Sequence, residues 1–350
     1  MKLFNLKPDY SRHPWKWWHL PFLIILIAGT VFVVINNRHK SNNWHSIEGN
    51  IFGTIYHITY NSSSDLNDSV LSVLNDVDKS LSVFNDSSTI TQINNNTSEV
   101  MDLMLTEVIN TSKKVNEETS GAFDITVAPL VNAWGFGFKN QENVDSAKID
   151  SILQFVGMDK IRINGSELSK TDQRVMLDCS AIAKGYGVDM VARMFINNEV
   201  KDFMVEIGGE VRTKGTNDKG RKWRIGINEP EDDTAPSSQD LQNVLEITDM
   251  SIATSGNYRN FYIKDNKKYA HTIDPNTGYP VQHSILSSTV VAEDCMIADA
   301  YATAFMVLGL EKSKALLQKH KELKAYFIYS NNDGANSVWH SDGLVLDKEF

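Results

Sequence analysis

Asp299 and Thr303 stand four residues apart in the run Ala298-Asp299-Ala300-Tyr301-Ala302-Thr303. On a helix that spacing puts both side chains on one face. A carboxylate and a hydroxyl are hard oxygen donors, suited to Mg²⁺ or Ca²⁺. The flanking Met296, Ile297, Ala298 and Ala300 are apolar, so Asp299 needs a partner if the segment is buried and none if it faces solvent. The run from Asp178 to Gly187 (DCSAIAKGYG) reads as a strand entering a helix. Free N–H groups at such a helix start, with Lys184 beside them, can take a phosphate. The GxxxxGK[ST] spacing of a P-loop is absent, and a capped helix with glycine packing fits the same residues.

Three further segments carry chemical potential. His271 directly precedes the turn signature Asp274-Pro275-Asn276-Thr277-Gly278, and a loop histidine can serve as acid or base or simply hold structure. Glu206-Ile207-Gly208-Gly209-Glu210 reads as a glycine bulge between strands. Ser120 to Asp124 together with Trp134-Gly135-Phe136-Gly137 offers rings and close backbone approach, which suits a flat ligand or an ordinary core.

The elements that must position these groups follow from periodicity. A strand is expected over residues 50–60. Apolar residues at Leu66, Val70, Leu71, Leu74, Val77 and Leu81 predict a helix over 66–83. Ser98 is the expected cap of a second helix running to about Gly121, followed by a loop over 122–137. Then come a helix at 146–156, strands at 160–163 and 174–178, and a helix at 181–197. Strands are expected within 203–214 and at 222–228, 244–248 and 258–263, with an acidic loop at 229–239. A strand at 287–292 feeds a helix at 295–308, and a strand at 325–329 and an Asn-Asp-Gly turn precede a last strand. Helices mixed with mostly antiparallel strands give an α+β class.

Composition narrows the partners. The formal net charge is −10 although the first 40 residues hold six Lys/Arg against one acid, so the body is strongly acidic and disfavours nucleic acid. Cys179 and Cys295 form no CxxC pair; they could bridge, or remain two buried thiols. Residues 20–35 are uncharged and apolar, preceded by Trp15, Trp17 and Trp18, and together approach the roughly 20 residues that span a bilayer. Lys2, Lys7, Arg12 and Lys16 precede the run and only Arg38 and Lys40 follow it closely, which predicts a cytoplasmic N-terminus. The expected organisation is a short cytoplasmic stretch (1–19), a retained transmembrane anchor (20–35), a linker (36–46) and a catalytic body (47–350) outside the cytoplasm.

Taken in order, FGTIY, SGAFDITVAPLVNAWGFG, LDCSAIAKGYGVD, VEIGGEVRTKG, WRIGINEP, IATSGNYRNF, HTIDPNTGYPV and ADAYAT resemble the ApbE-type FAD:protein FMN transferase family, over about residues 47–346. The resemblance implies Mg²⁺ held by the Ala181 carbonyl, Asp299 and Thr303. It implies FAD contacts at Phe52, Phe84, Ala122, Phe123, Asp124, Asp178, Lys184 and Ile273. Many relatives have Met for Phe52 and Tyr for Phe84, and some carry an acid in place of Ala302. By resemblance the chain moves FMN from FAD to a Thr or Ser hydroxyl of an acceptor protein and releases AMP. The acceptor is expected to be an electron-transport complex subunit bearing a Thr/Ser flavinylation motif, and His271 or Asp299 takes the hydroxyl proton. The alternatives are hydrolysis of FAD to FMN and AMP, or a non-catalytic FAD-binding scaffold.

Overall fold

The computed structural model describes residues 21, 25–30, 43–137, 144–228, 241–257, 261–264, 267–331 and 333–347. The chain divides into two units, Met1–Asn43 and Trp44–Phe350. In the first, residues 25–30 are helical, with Ile25, Leu26 and Ile27 exposed. Among the described residues no helix is long and apolar enough to cross a membrane. Most of the expected anchor, and the linker up to residue 42, lie outside the described residues.

The second unit begins at Trp44, inside the stretch expected to be linker, with β1 (Trp44–Ile51) and β2 (Thr54–Asn61). The single strand expected over 50–60 is therefore a hairpin, with Ile51 opposite Thr54 across Phe52 and Gly53. Both turn residues have positive φ, 52° and 72°, as a two-residue type I′ turn requires. Phenylalanine is a poor candidate for the first of those positions, which is why the turn is hard to see in the sequence.

Helix α1 (Asn67–Leu81) follows, then α2 (Thr89–Asn94) and α3 (Leu103–Glu118). The cap of α3 is Asp102, whose side chain accepts the Leu105 N–H, rather than Ser98. A bridge between Val100 and Glu167 draws the chain around Ser98 into an extended form, delaying the helix start. The stretch expected to be loop contains α4 (Ala128–Ala133), opened by a proline in its first turn. Helix α5 (Ser146–Leu153) leads to the hairpin β3 (Ile161–Asn164) and β4 (Glu167–Lys170). Residues 174–178 join no sheet beyond one parallel bridge, Val127 to Met176. The Asn94 amide instead takes both the N–H and the C=O of Leu177, satisfying the backbone as a neighbouring strand would.

Helix α6 (Ala183–Asn197) precedes β5 (Phe203–Ile207), β6 (Glu210–Lys214), β7 (Trp223–Asn228), β8 (Leu241–Ile247), β9 (Ser251–Gly256), β10 (Phe261–Lys264), β11 (Lys267–Ala270) and β12 (Ile285–Ala292). Helices α7 (Cys295–Leu308) and α8 (Leu310–Lys319) and strands β13 (Lys324–Ser330), β14 (Asn336–His340) and β15 (Leu346–Asp347) complete the unit. Eight strands form one sheet in the order β1-β2-β5-β6-β9-β12-β13-β14, antiparallel at each pairing. A smaller sheet runs β15-β8-β7. Mixed helices and antiparallel strands agree with the α+β reading.

Burial explains the layering. Along β12, Val290 belongs to a core shared with α3 and α7, while the next residue, Val291, belongs to a core shared with Ile227, Leu245 and Ile247 of the small sheet. Successive strand residues point to opposite faces, so helices cover one face of the large sheet and the small sheet covers part of the other. A third core packs α1 and α6 on β2 and β5 through Leu74, Val191, Phe195, Ile58 and Val205. Helices α6 and α7 lie against one another, and α7 packs on β9 and β12.

Candidate active site

Gly185 sits where α6 meets α7, and a Cβ there would lie 2.5 Å from the Cys295 carbonyl oxygen and 2.8 Å from Asp299 Cβ. Only glycine permits this approach without displacement. Because the helices come so close, the Gly185 N–H donates to Asp299 Oδ2 at 3.0 Å. Gly185 is the third residue of α6, so its N–H has no partner within the helix, and the Asp299 carboxylate satisfies it. Among the described residues no donor pairs with the Ala181 carbonyl. Ala181 stands just before α6, on the cavity that Asp299 and Thr303 also line. Thr303 Oγ1 shares a hydrogen bond of 3.0 Å with Ser255 Oγ on β9. The donor set is a carboxylate, a hydroxyl and a carbonyl, all oxygen, which suits a hard divalent cation. Among the described residues there is no cluster of three or more His, Cys, Asp or Glu that could hold a metal ion.

The cavity measures about 550 Å³, within the range of small-molecule sites. Lys184 borders it, with Nζ 3.2 Å from Glu210 Oε1 and 3.9 Å from Asp299 Oδ2. Burial works against the lysine charge, but the Asp299 and Glu210 carboxylates outweigh it and hold the ammonium above the usual lysine range. Burial pushes the Glu210 carboxyl up, against the pull of Lys184. Its second oxygen, Oε2, is buried and has no hydrogen-bond partner among the described residues. One cation is therefore held between two acids at the wall of the cavity, where it can meet phosphate charge.

The expected flavin contacts mostly converge here. Phe84, Ala122, Phe123, Asp124, Asp178, Ala181, Lys184, His271, Ile273, Asp299 and Thr303 all line the cavity. Phe52 does not: its ring packs on α6, where a Cβ at Gly187 would meet Phe52 Cε2 at 2.8 Å. Phe84 is 75% exposed at the cavity edge. Asp124 holds its loop together by accepting the Thr126 N–H and hydroxyl on Oδ1, and the Met158 N–H and Asn116 amide on Oδ2. Burial raises its carboxyl above the usual range despite these donors. Asp178 accepts the Ser180 N–H at 2.8 Å, closing the turn that leads into α6.

His271 lies edge-on to Phe136, with ring centroids 6.4 Å apart. The segment after it folds back on itself: Ile273 bridges Pro280, Asp274 N–H bonds Tyr279, and Val281 N–H bonds Thr272. Gly278 has φ of 76°, and a Cβ there would meet Ile149 Cγ2 at 2.5 Å. Its carbonyl accepts the Trp134 indole N–H at 2.8 Å, tying the turn to the Trp134–Gly137 stretch. The hydroxyl of Thr272 donates to Asn257 just after β9.

Three contributors have no assigned role from sequence alone. Glu210 was legible only as part of a glycine bulge, Ser255 lies within the family stretch IATSGNYRNF without a function, and Gly185 carried only a packing role. A Gly-Gly-Glu turn opposite a Lys-Gly pair was the available signal for Glu210.

Known proteins of similar sequence and shape agree with one another. The sequence profile of the ApbE family matches residues 52–327. A FAD:protein FMN transferase of Vibrio cholerae is 35% identical over 320 residues, 88% of this chain and 94% of that protein. A protein of the same name from Haemophilus influenzae is 34% identical, with 88% and 93% covered. The solved flavin transferase ApbE from Vibrio cholerae superposes with a TM-score of 0.76 at 34% identity, covering 85% of this chain and 97% of that one. The apo form of Pseudomonas stutzeri flavinyl transferase ApbE gives 0.76 at 32% identity, with 85% and 95% covered.

Proposed function

We propose that this chain, which belongs to the ApbE family, moves the FMN half of FAD onto a Thr or Ser hydroxyl of an acceptor protein and releases AMP. Asp299, Thr303 and the Ala181 carbonyl would hold Mg²⁺. When bound, the cation draws negative charge from the pyrophosphate and eases departure of AMP. Lys184 adds a second positive charge at the same wall, held above the usual lysine range against burial chiefly by the Asp299 carboxylate. The acceptor hydroxyl oxygen attacks the phosphorus on the riboflavin side. The bond from that phosphorus to the bridging oxygen breaks, and AMP leaves with the bridging oxygen.

The hydroxyl proton is assigned to His271. Asp299 is 2% exposed, accepts the Gly185 N–H and lies within reach of Lys184, so its carboxylate is already engaged. His271 lines the cavity on a turn that two loops brace. Holding the reacting groups in place supplies much of the remaining acceleration.

The observation that carries this reading is the convergence on one cavity of Asp299, Thr303 and Ala181, which offer hard oxygen donors, beside the ammonium of Lys184. The apolar run at 20–35 supports the further proposal of a retained inner-membrane anchor, with the body on the extracytoplasmic side and an electron-transport subunit as acceptor.

The test incubates the protein with FAD, Mg²⁺ and a candidate acceptor, then reads flavin fluorescence of the denatured acceptor in a gel. A fluorescent band on the acceptor is expected. Free FMN without a band would make the protein a hydrolase, and neither product would make it a scaffold.

A further inference from the structure

Asp294 occupies the N-cap position of α7, yet its side chain makes no cap bond. The capping carboxylate comes from another helix. Asp189 on α6, fully buried, accepts the Cys295 N–H on Oδ1 at 3.0 Å and the Met296 N–H on Oδ2 at 2.8 Å. Arg212 on β6 bonds Asp189 and also reaches Asp294 at 2.8 Å, so the buried charge is balanced.

Gly185 precedes Asp189 by four residues on α6, and Asp299 follows Cys295 by four on α7. The helices are thus joined at two rungs about one turn apart: Gly185 to Asp299, and Asp189 to Cys295 and Met296. Packing on β9 and β12 holds α7 against the sheet, and the first rung ties it to α6 at one point. A second, one turn away, fixes its rotation and its register together.

We propose that Asp189 is a positioning residue whose cap on α7 sets the register of that helix and thereby holds Asp299 and Thr303 where they take Mg²⁺. The inference rests on the Mg²⁺ reading given above. It assigns Asp189 no contact with the cation or with FAD; among the described residues its partners are the start of α7 and Arg212. Groups that orient metal ligands from behind typically cost about 10–100-fold in metal affinity when removed.

The experiment is calorimetric titration of Mg²⁺ into the full chain, with and without FAD, for wild type, Asp189→Asn and Ile247→Ala. Ile247 is buried in the small sheet and reports what a loss of stability alone does. Asp189→Asn, which can accept only one of the two N–H groups, is expected to weaken Mg²⁺ binding by roughly tenfold or more. FAD affinity without metal should stay near wild type, and Ile247→Ala should bind Mg²⁺ normally. Where Asp189→Asn does not fold, Asp189→Glu is read instead, since its longer arm keeps the charge but shifts the rung, with the same expectation. Wild-type Mg²⁺ affinity in the folded Asp189 variant overturns the proposal, as does an equal loss in Ile247→Ala. A wild type that takes up no Mg²⁺ overturns the cation reading itself, a result distinguishable from either.

Discussion

Gly185 and Asp299 meet at 3.0 Å, a backbone amide on one helix donating to a carboxylate on the next, and the contact exists only because Gly185 has no side chain. Gly185→Ala should therefore separate α6 from α7. A methyl forced against backbone in a packed seam costs about 1–3 kcal/mol. The expected result is a lower Tm together with a loss of FMN transfer larger than the loss of folded protein explains. Transfer assayed well below the variant's Tm checks it; wild-type transfer there would remove Gly185 from the site argument.

Asp299→Ala should abolish transfer, while Thr303→Ala should mainly raise the Mg²⁺ concentration required. A charged oxygen contributes more to capturing a hard cation than a neutral hydroxyl does. In Thr303→Ala the Ser255 hydroxyl loses its partner but remains on the cavity wall. Full activity of Asp299→Ala at low millimolar Mg²⁺ would contradict the assignment.

His271→Ala should keep the fold and FAD affinity and lose transfer by on the order of 10²–10⁴-fold, as removal of a general base does. Hydrolysis of FAD by water, measured on the same variant, should fall in parallel. Loss of FAD binding or a lower Tm instead would make His271 a brace for the turn, beside Phe136.

Glu210 gives a pH signature. Burial keeps its carboxyl protonated to higher pH than in the unfolded chain, against the opposing charge of Lys184. Above the ordinary glutamate range, near pH 4.3, the unfolded chain has released a proton that the folded chain still holds. Stability from this group therefore falls as pH rises through that window. Glu210→Gln cannot titrate, so its Tm should fall less, or rise more, than wild type between about pH 4.5 and 7. Parallel Tm profiles for the two proteins would show that Glu210 does not titrate there.

Asp124→Ala would leave the Thr126 N–H and hydroxyl and the Met158 N–H without their acceptor, while the Asn116 amide keeps the Phe123 carbonyl. Each buried donor left unsatisfied costs about 1–3 kcal/mol. Thermal unfolding should show a destabilisation of roughly 3 kcal/mol or more. FAD affinity should drop with it, since Ala122 and Phe123 stand on the same loop.

Legibility followed the strength of local pattern. The helix read over 295–308 has the bounds of α7, because an apolar run with a distinct start and a glycine at its end leaves little choice. The helix read over 66–83 is α1 to within two residues at each end. Where an element depends on a distant partner, local pattern misleads. Residues 174–178 hold a short apolar run that reads as a strand, but the Asn94 side chain stands where a strand would. The site shows the same division. Asp299 and Thr303 were visible as a pair because four-residue spacing is a local fact. Asp189 was not, since the α7 N–H groups it caps lie more than a hundred residues further along the chain.

Cys179 and Cys295 are both free and fully buried, and burial pushes each thiol above the usual range. Cys295 is further engaged with the Val211 and Ile252 carbonyls. Neither thiol is close to being a nucleophile in the folded chain, because the reactive form is the thiolate. Alkylating reagents would then react only as fast as the body opens, and the two positions would be modified together when that opening is global. The chain carries its own unfolding clock, one that needs no engineered label, with Cys295 at the first residue of the helix that bears Asp299 and Thr303.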